Sequence, residues 1–510
     1  MTDPAGNVWR YTYDQRGRKI KTADPDKGVS ESGYDDAGQL VTVKDARNIT
    51  LTYTYDALGR KTSLRDATGA RLAEWFYDTA ANGVGKPATS IRHDGTGEYV
   101  SEVIAYDAGG RPTDTKITIP AAEGALAGSY AFKTTYKQDG QIDSTTSPAA
   151  GGLPAETLTF GYNAVGAPTY LSAGSQIYVN DVVYNQRGQA IQRILGQDGK
   201  RVWQTSTIDE PTGRTTNFSV VPELKSEVVD LGYTHDDAGN VTRIADTPNG
   251  GQPADYQCYT TDHLRRLVEA WTPATGDCAA ARSLPGLGGP ASYWHSYSYT
   301  LTGGRDVETW HGAANTIRDY AQPPQGGAPG SKPHTVTRID KSGAATGTDT
   351  FAYDVAGNTT SRTVGGVTTT LAWDDEGHLA SSTQGGLTTS NLYDVDGTRM
   401  LRRDPAGTTL YLPGGFELRR TGSTVTGTRH YSYLGTAVAV RTPSALSWTT
   451  QDHHNTTEAL IKATDLSVSR RRSLPSAGFA ARPRRVGRRQ GLRRRDQRPE
   501  RPHPHRGTRV

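Results

Sequence analysis

One acidic residue recurs in this chain in a fixed setting, one position after a tyrosine and three before a glycine, and carboxylates held in register are the raw material of acid–base pairs or calcium sites. The series runs Tyr13-Asp14…Gly17-Arg18, Tyr34-Asp35…Gly38-Gln39, Tyr55-Asp56…Gly59-Arg60, Tyr106-Asp107…Gly110-Arg111, Tyr353-Asp354…Gly357-Asn358 and Tyr393-Asp394…Gly397-Thr398. Each carboxylate has a sufficient structural role, because Asp at a tight reversal accepts hydrogen bonds from the amides of its own turn. Calcium loops of the nonapeptide kind need several Asp and Gly per short repeat, and these repeats carry one of each. No metal site and no catalytic carboxylate is expected from the series.

Asp452-His453-His454 is the one compact cluster with metal or acid–base potential. Adjacent histidines on a strand point to opposite faces and make a poor chelate, with no third ligand nearby. An exposed loop or edge strand accounts for them. Cys258 and Cys278 lie twenty residues apart across an irregular connection. A disulfide and two thiols are both open readings, and metal binding is disfavoured because no His/Cys cluster accompanies them. The chain has no nucleophile elbow, phosphate loop or paired histidines on a helix. No enzymatic activity and no cofactor is expected.

The elements that carry the signature are legible around it. Before each copy, rings alternate with small polar residues, as in Tyr11-Thr12-Tyr13, Tyr53-Thr54-Tyr55 and Leu371-Ala372-Trp373, which places both large side chains on one face of a strand. After the glycine the alternation resumes, as in Gln39-Leu40-Val41-Thr42-Val43, so each unit predicts a β-hairpin. Weaker copies at Tyr136, Tyr162, Tyr184, His235, Thr261, Tyr299 and Trp373 extend the array, with regular spacing broken between Gly188 and His235 and between Arg305 and Tyr353. The Pro/Gly-rich stretch Pro323-Pro324-Gln325-Gly326-Gly327-Ala328-Pro329-Gly330 in the second break predicts an exposed loop on one rim. A lone hairpin is marginal in water, so the units must stack. The expectation is an all-β array, extended in one dimension, with very little helix.

Composition agrees with a thin wall. Hydrophobic residues make up 34% of the 510 residues, and 26 Tyr stand against 7 Phe, a preference for rings that tolerate water. No run of about twenty apolar residues is present, so no transmembrane segment is expected. No basic, apolar, then small-residue stretch opens the chain, so no signal peptide is read. Thr2-Asp3-Pro4-Ala5-Gly6-Asn7 has the character of a linker inside a repeat, and the chain is expected to begin part-way through an array.

The charge is concentrated at the other end. Ser473 to Val510 hold 12 Arg against 2 acidic residues, a local charge of +10 that leaves −6 on the preceding residues of a chain whose net charge is +4. The abrupt change after Ser467-Val468-Ser469 is the composition expected of a GC-rich gene read out of frame from near Pro475. Nucleic-acid binding is disfavoured for this tail, because Phe479 is its only ring for base stacking. Three regions follow: a repeat array over 1–405, a β segment over 406–472, and a disordered Arg/Pro-rich tail over 473–510.

Taken together, the Tyr-Asp-x-x-Gly units resemble the YD-repeat, or Rhs-repeat, family of bacterial polymorphic toxins and wall-associated proteins, with teneurins as animal relatives. Tyr411-Leu412-Pro413-Gly414-Gly415, His430-Tyr431-Ser432-Tyr433-Leu434-Gly435 and Gln451-Asp452-His453-His454-Asn455-Thr456-Thr457 resemble the segment leading into that family's Rhs-associated core. The resemblance covers about residues 2 to 474. It implies a spiralling β-sheet closed into a hollow shell around a C-terminal toxin domain, which would be the partner in an intact homologue, and a secreted or cell-surface location. The family's Tyr-Asp-Pro signature and its self-cleaving aspartates are expected to be missing here, and with them the toxin. The alternative is a surface module that stacks exposed Tyr and Trp on carbohydrate. Exposure of Tyr13, Tyr34, Tyr55 and Tyr353 separates the two, since a wall buries these rings in register and a sugar site exposes them in rows.

Overall fold

The structure is a computed structural model that describes residues 1–472 apart from Gln252 and His453. The reading of the Arg-rich tail lies outside the described residues. Each signature folds as a hairpin. In the first, Arg10–Tyr13 pairs antiparallel with Lys19–Asp24, Tyr11 opposite Thr22 and Thr12 opposite Lys21, and then the register slips by one so that Tyr13 faces Lys19. The same slip precedes Tyr34, Tyr55, Trp373 and Tyr393. Its cause is the turn. The Asp14 amide donates to the Arg18 carbonyl and the Gly17 amide to the Asp14 carbonyl, each at 3.0 Å, with Gly17 left-handed at φ 76°. A turn closed by a left-handed residue inserts one extra residue into the returning side, which is a bulge.

Hairpins join into a single sheet of 39 strands in which each strand pairs antiparallel with the next in sequence. Among the described residues the first strand, Arg10–Tyr13, and the last, Val468–Arg471, do not pair with each other, so the sheet is open. It runs without a break across the end of the repeat array, where Arg399–Asp404 pairs with Gly407–Leu412. Among the described residues helix is confined to three short 3-10 turns at Ala121–Leu126, Leu284–Gly286 and Pro413–Gly415. No helix among the described residues is long and apolar enough to cross a membrane.

Two interruptions in the sequence pattern are not interruptions of the sheet. Between Gly188 and His235 an unrecognised copy forms a hairpin from Val202–Ile208 and Thr215–Pro222. Its turn has one more residue: the Asp209 amide donates to the Arg214 carbonyl and the Gly213 amide to the Asp209 carbonyl. Tyr77-Asp78 opens another copy, with a longer connection that closes at Lys86.

Because the strands run up and down in sequence, alternate connections lie on opposite rims of the ribbon. Counting Arg10–Tyr13 as the first strand, every Tyr-Asp-x-x-Gly turn follows an odd one, so all of them share one rim. The ribbon then coils on itself. Leu51, Leu64 and Ala73 pack with Val395. Tyr99, Ile119 and Leu126 pack with Leu401, Leu410 and Phe416. Tyr178, Leu195, Val202 and Phe218 pack with Tyr431, Trp448 and Ile461. The sparse apolar residues are thus spent where one turn of the coil meets the next, which is how a chain of low apolar content still closes a dry core.

Trp448 is the largest side chain in that core, and its indole lies against Gly196 of the earlier turn. Trp448→Ala is expected to cost about 3–5 kcal/mol. In hydrogen exchange the loss of protection should appear over residues 171–233 as well as around Trp448. A loss confined to the later segment would contradict packing between turns.

Candidate functional site: the repeat lattice and the seam

The turn carboxylate works with both oxygens. In the first repeat Asp14 Oδ1 accepts the amides of Arg16 and Arg18 at 2.9 Å each, and Oδ2 accepts Arg18 Nε at 2.7 Å. Asp56 treats Leu58 and Arg60 in the same way, Asp107 bonds Arg111, and Asp262 bonds Leu264 and Arg266. Asn240, Asn358 and His378 stand in for the arginine elsewhere. The Arg18 amide, assisted by its guanidinium, holds the Asp14 carboxyl below its ordinary range, and Arg60 does the same for Asp56.

From that anchor the cation reaches the next hairpin. Arg18 lies over the Tyr34 ring at 4.9 Å, Arg60 over Tyr77 at 4.4 Å, Arg111 over Tyr136 at 4.4 Å and Arg266 over Tyr299 at 4.6 Å. His378 stacks on Tyr393 at 4.6 Å. Meanwhile the ring's hydroxyl reaches back and donates to the carbonyl at or just before the start of the returning strand of the preceding hairpin: Tyr34 to Lys19, Tyr55 to Leu40, Tyr162 to Ile142, Tyr353 to Val336 and Tyr393 to Leu379, at 2.7–3.1 Å. Trp373 uses its indole N–H on Thr359. Tyr34, Tyr55 and Tyr353 are accordingly half-buried, whereas Tyr13, on the first strand, is 57% exposed. Each contact is modest, about 0.5–1 kcal/mol for an exposed cation–ring pair, and it recurs along the rim.

A second set of contacts closes the coil, and sequence reasoning missed it. The connection over 322–337, which contains the stretch 323–330 expected as an exposed loop on one rim, lies on the signature rim and grips the start of the chain. Asn7 Nδ2 donates to Gln325 Oε1 at 2.8 Å, the Lys332 amide donates to the Pro25 carbonyl at 2.8 Å, and His334 bridges Asp3 and Asp26 at 2.8 and 2.7 Å while stacking on Trp9. Burial works against the imidazolium, but the two carboxylates outweigh it and raise the His334 pKa. Farther on, Arg47 donates to the carbonyls of Asp374 and Asp375, and Arg92 to the Tyr393 carbonyl and Glu376. Arg403 then meets Glu123 and Tyr99. At the His334–Asp26 and Arg47–Asp374 contacts the signature rim of the later turn therefore sits on the opposite rim of the earlier one.

The most heavily used seam group is Glu156, a buried carboxylate. It accepts from Tyr178 and Arg441 on one oxygen, each at 2.7 Å, and from Tyr431 at 2.6 Å and Arg429 at 3.2 Å on the other. The Gly427 amide donates to the Gly151 carbonyl at 2.7 Å beside it. Nothing in the sequence around Glu156 marks it, since its partners lie 273–285 residues away except for Tyr178.

The residues singled out in the sequence fall as follows. Cys258 and Cys278 form a disulfide, their Cα atoms 5.6 Å apart. Asp452 is a turn residue like the others, its Oδ1 accepting the amides of His454 and Thr456, with Asn455 taking the left-handed place of the glycine. His453 lies outside the described residues. Asp374, Glu376 and His378, unmarked as a group in the sequence, bring their ligand atoms within 4.8 Å of one another. They sit on a seam turn where Arg92 already pairs with Glu376.

Two glycines separate turn geometry from seam contact. A Cβ at Gly17 would meet nothing within 4 Å, so Gly17→Ala carries only the left-handed backbone cost of about 1–2 kcal/mol. A Cβ at Gly357, φ 81°, would stand 2.9 Å from the Asp26 carbonyl across the seam. Gly357→Ala is expected to lower the thermal midpoint more than Gly17→Ala, and equal effects would argue against the seam at this position.

The family model for the RHS repeat matches residues 1–29 and 34–71. No curated protein matches the chain. Among solved structures it is similar to the Photorhabdus luminescens Tc holotoxin pore with a TccC3 mutation, at TM-score 0.64 and 16% identity over 89% of this chain and 24% of that one. It is similar also to TcdB2-TccC3 without the hypervariable C-terminal region, at TM-score 0.67 and 15% identity over 90% and 24%, and to TcdB2-TccC3, at 0.65 and 16% over 90% and 25%. The chain thus spans about a quarter of the length of the structures it matches. The RHS-repeat model thus covers the first hairpins, and the fold shared with these structures extends over about nine tenths of the chain.

Proposed function

We propose that this chain is a wall segment of a hollow Rhs/YD shell, a non-catalytic barrier that separates an enclosed toxin polypeptide from its surroundings until delivery. The observation that carries the reading is the seam. Consecutive turns of one ribbon are joined by buried ion pairs and by apolar clusters, so the coil has the makings of a continuous surface. Its repeated acids support the same reading, because both oxygens of Asp14, Asp56, Asp107 and Asp262 are engaged in holding the turn. The length of the matched structures favours a chain that supplies part of a larger wall, with the toxin beyond it in an intact homologue and a secreted or surface location for the whole. A carbohydrate platform is less well supported. Stacking on sugar needs open ring faces, and in this lattice Arg, Lys or His covers them.

Limited proteolysis of the full chain tests the wall. A shell segment should leave a resistant body ending near Arg472, because its connections are tied down at the seam or held by turn hydrogen bonds. Early cuts within 322–337 or between hairpins would show a loose array that cannot contain anything.

A further inference from the structure

At the C-terminal end of the seam, a cavity of about 250 Å³ opens between the strands Val229–His235 and Asp255–Thr261 of the earlier turn and Thr457–Lys462 of the later one. Glu458, Asp452, His454 and Arg472 line it from one side, Tyr233, Tyr259 and Gln257 from the other. Glu458 is only 3% exposed, yet its Oε1 has no hydrogen-bond partner, and Arg472 Nη1 stands 3.8 Å from it, beyond hydrogen-bond range. Behind the cavity wall Asp255, also buried, leaves Oδ1 without a hydrogen bond, while Gln257 Oε1 is taken by the hydroxyls of Tyr259 at 2.7 Å and Tyr293 at 3.1 Å.

Charge in this corner does not balance. Asp246, Asp255, Asp452 and Glu458 face two guanidinia, and Arg471 is already committed to Asp246. Glu458 has the Arg472 guanidinium as an ion-pair partner at 3.8 Å and no hydrogen bond on Oε1; a buried carboxylate so weakly compensated is costly, and the charge that would offset it is positive. Two carboxylates with aromatic walls are too few oxygens for calcium and offer no thiolate or paired imidazole for zinc. Ring faces beside a carboxylate suit an organic cation.

We propose that this cavity binds one ammonium or guanidinium group, with Glu458 as its counter-ion and the rings of Tyr233 and Tyr259 flanking it. The inference does not depend on the chain enclosing a toxin. Burial, reinforced by Asp452 and Asp246, pushes the Glu458 carboxyl up to about 8 against the opposing pull of Arg472 and Arg471. The carboxyl is therefore mostly protonated at neutral pH, and a cation that enters must displace a proton.

Calorimetric titration of the full chain with methylguanidinium and with methylammonium tests this. A single saturable site is expected, its affinity rising with pH up to about 8. Glu458→Gln should weaken binding at least tenfold with the circular dichroism spectrum unchanged, and Glu98→Gln, at an exposed carboxylate, should leave it alone. A peptide with one internal arginine forms a further arm. Binding of the peptide would assign the site to a basic side chain, and binding of the small cations alone to a free amine. The absence of saturable binding by either small cation, indifference to pH or to Glu458→Gln, or a preference for calcium over both would overturn the proposal. Should Glu458→Gln fail to fold, the pH dependence of the wild-type chain still decides.

Discussion

A carboxylate with two oxygens and a fixed place in a turn sets the geometry of the whole molecule. One oxygen of the repeated Asp gathers amides of its own reversal and so fixes where the strand must come back. The other, in the arginine-bearing copies, points a cation at the next ring. The ring's hydroxyl answers by donating to the hairpin behind it. Each unit therefore carries the instruction for placing its neighbour, and an array with only nearest-neighbour contacts can extend without a conventional globular core.

Extension alone would leave two solvated rims, and the coil resolves that constraint. Where the ribbon returns alongside itself, turns that were built to reverse the chain become docking elements, and a few buried groups lock them. Arg429 shows why such a lock is sensitive. It is buried against Glu156 and the carbonyls of Pro148 and Pro154, so removing the acid leaves a guanidinium without its counter-charge, a loss of about 3–5 kcal/mol in comparable buried pairs. Pairs such as Arg92 with Glu376 and His334 with Asp3 and Asp26 tie one turn of the coil to the next at defined positions.

The hairpin lattice was legible in the sequence because it is periodic and local. Tyr, Asp and Gly fall within five positions, and the alternation of rings on either side assigns strands directly. Legibility failed where a copy was disguised. Asp209 has an extra turn residue and Ile208 in place of the ring, Asp452 has Asn455 in place of glycine, and Tyr77-Asp78 is followed by a long connection. A search for Asp with Gly, Asn or Arg three or four positions on would have found the first two. The seam had no comparable signal. Arg47, Arg92 and Arg403 are ordinary in sequence, and only the pitch of the coil brings each to its partner 280–328 residues away. The cysteine spacing likewise allowed a bond without requiring one, and the strand Asp255–Thr261 placed beside the loop at Cys278 decided it.

Everything rests on one ribbon lying against itself. A thiol cross-link tests that directly, because the native cysteines are both bonded and leave no free thiol among the described residues. Ala46 and Val355 flank the same point, Gly28, whose added Cβ would approach the Ala46 Cβ at 2.8 Å and the Val355 carbonyl at 2.9 Å. With Ala46→Cys and Val355→Cys in one chain, a short bis-maleimide, each ring adding one thiol as a thioether, should join the two positions within a monomer at high yield. A chain that leaves both thiols unlinked, or links them only between molecules, would contradict the coiled wall.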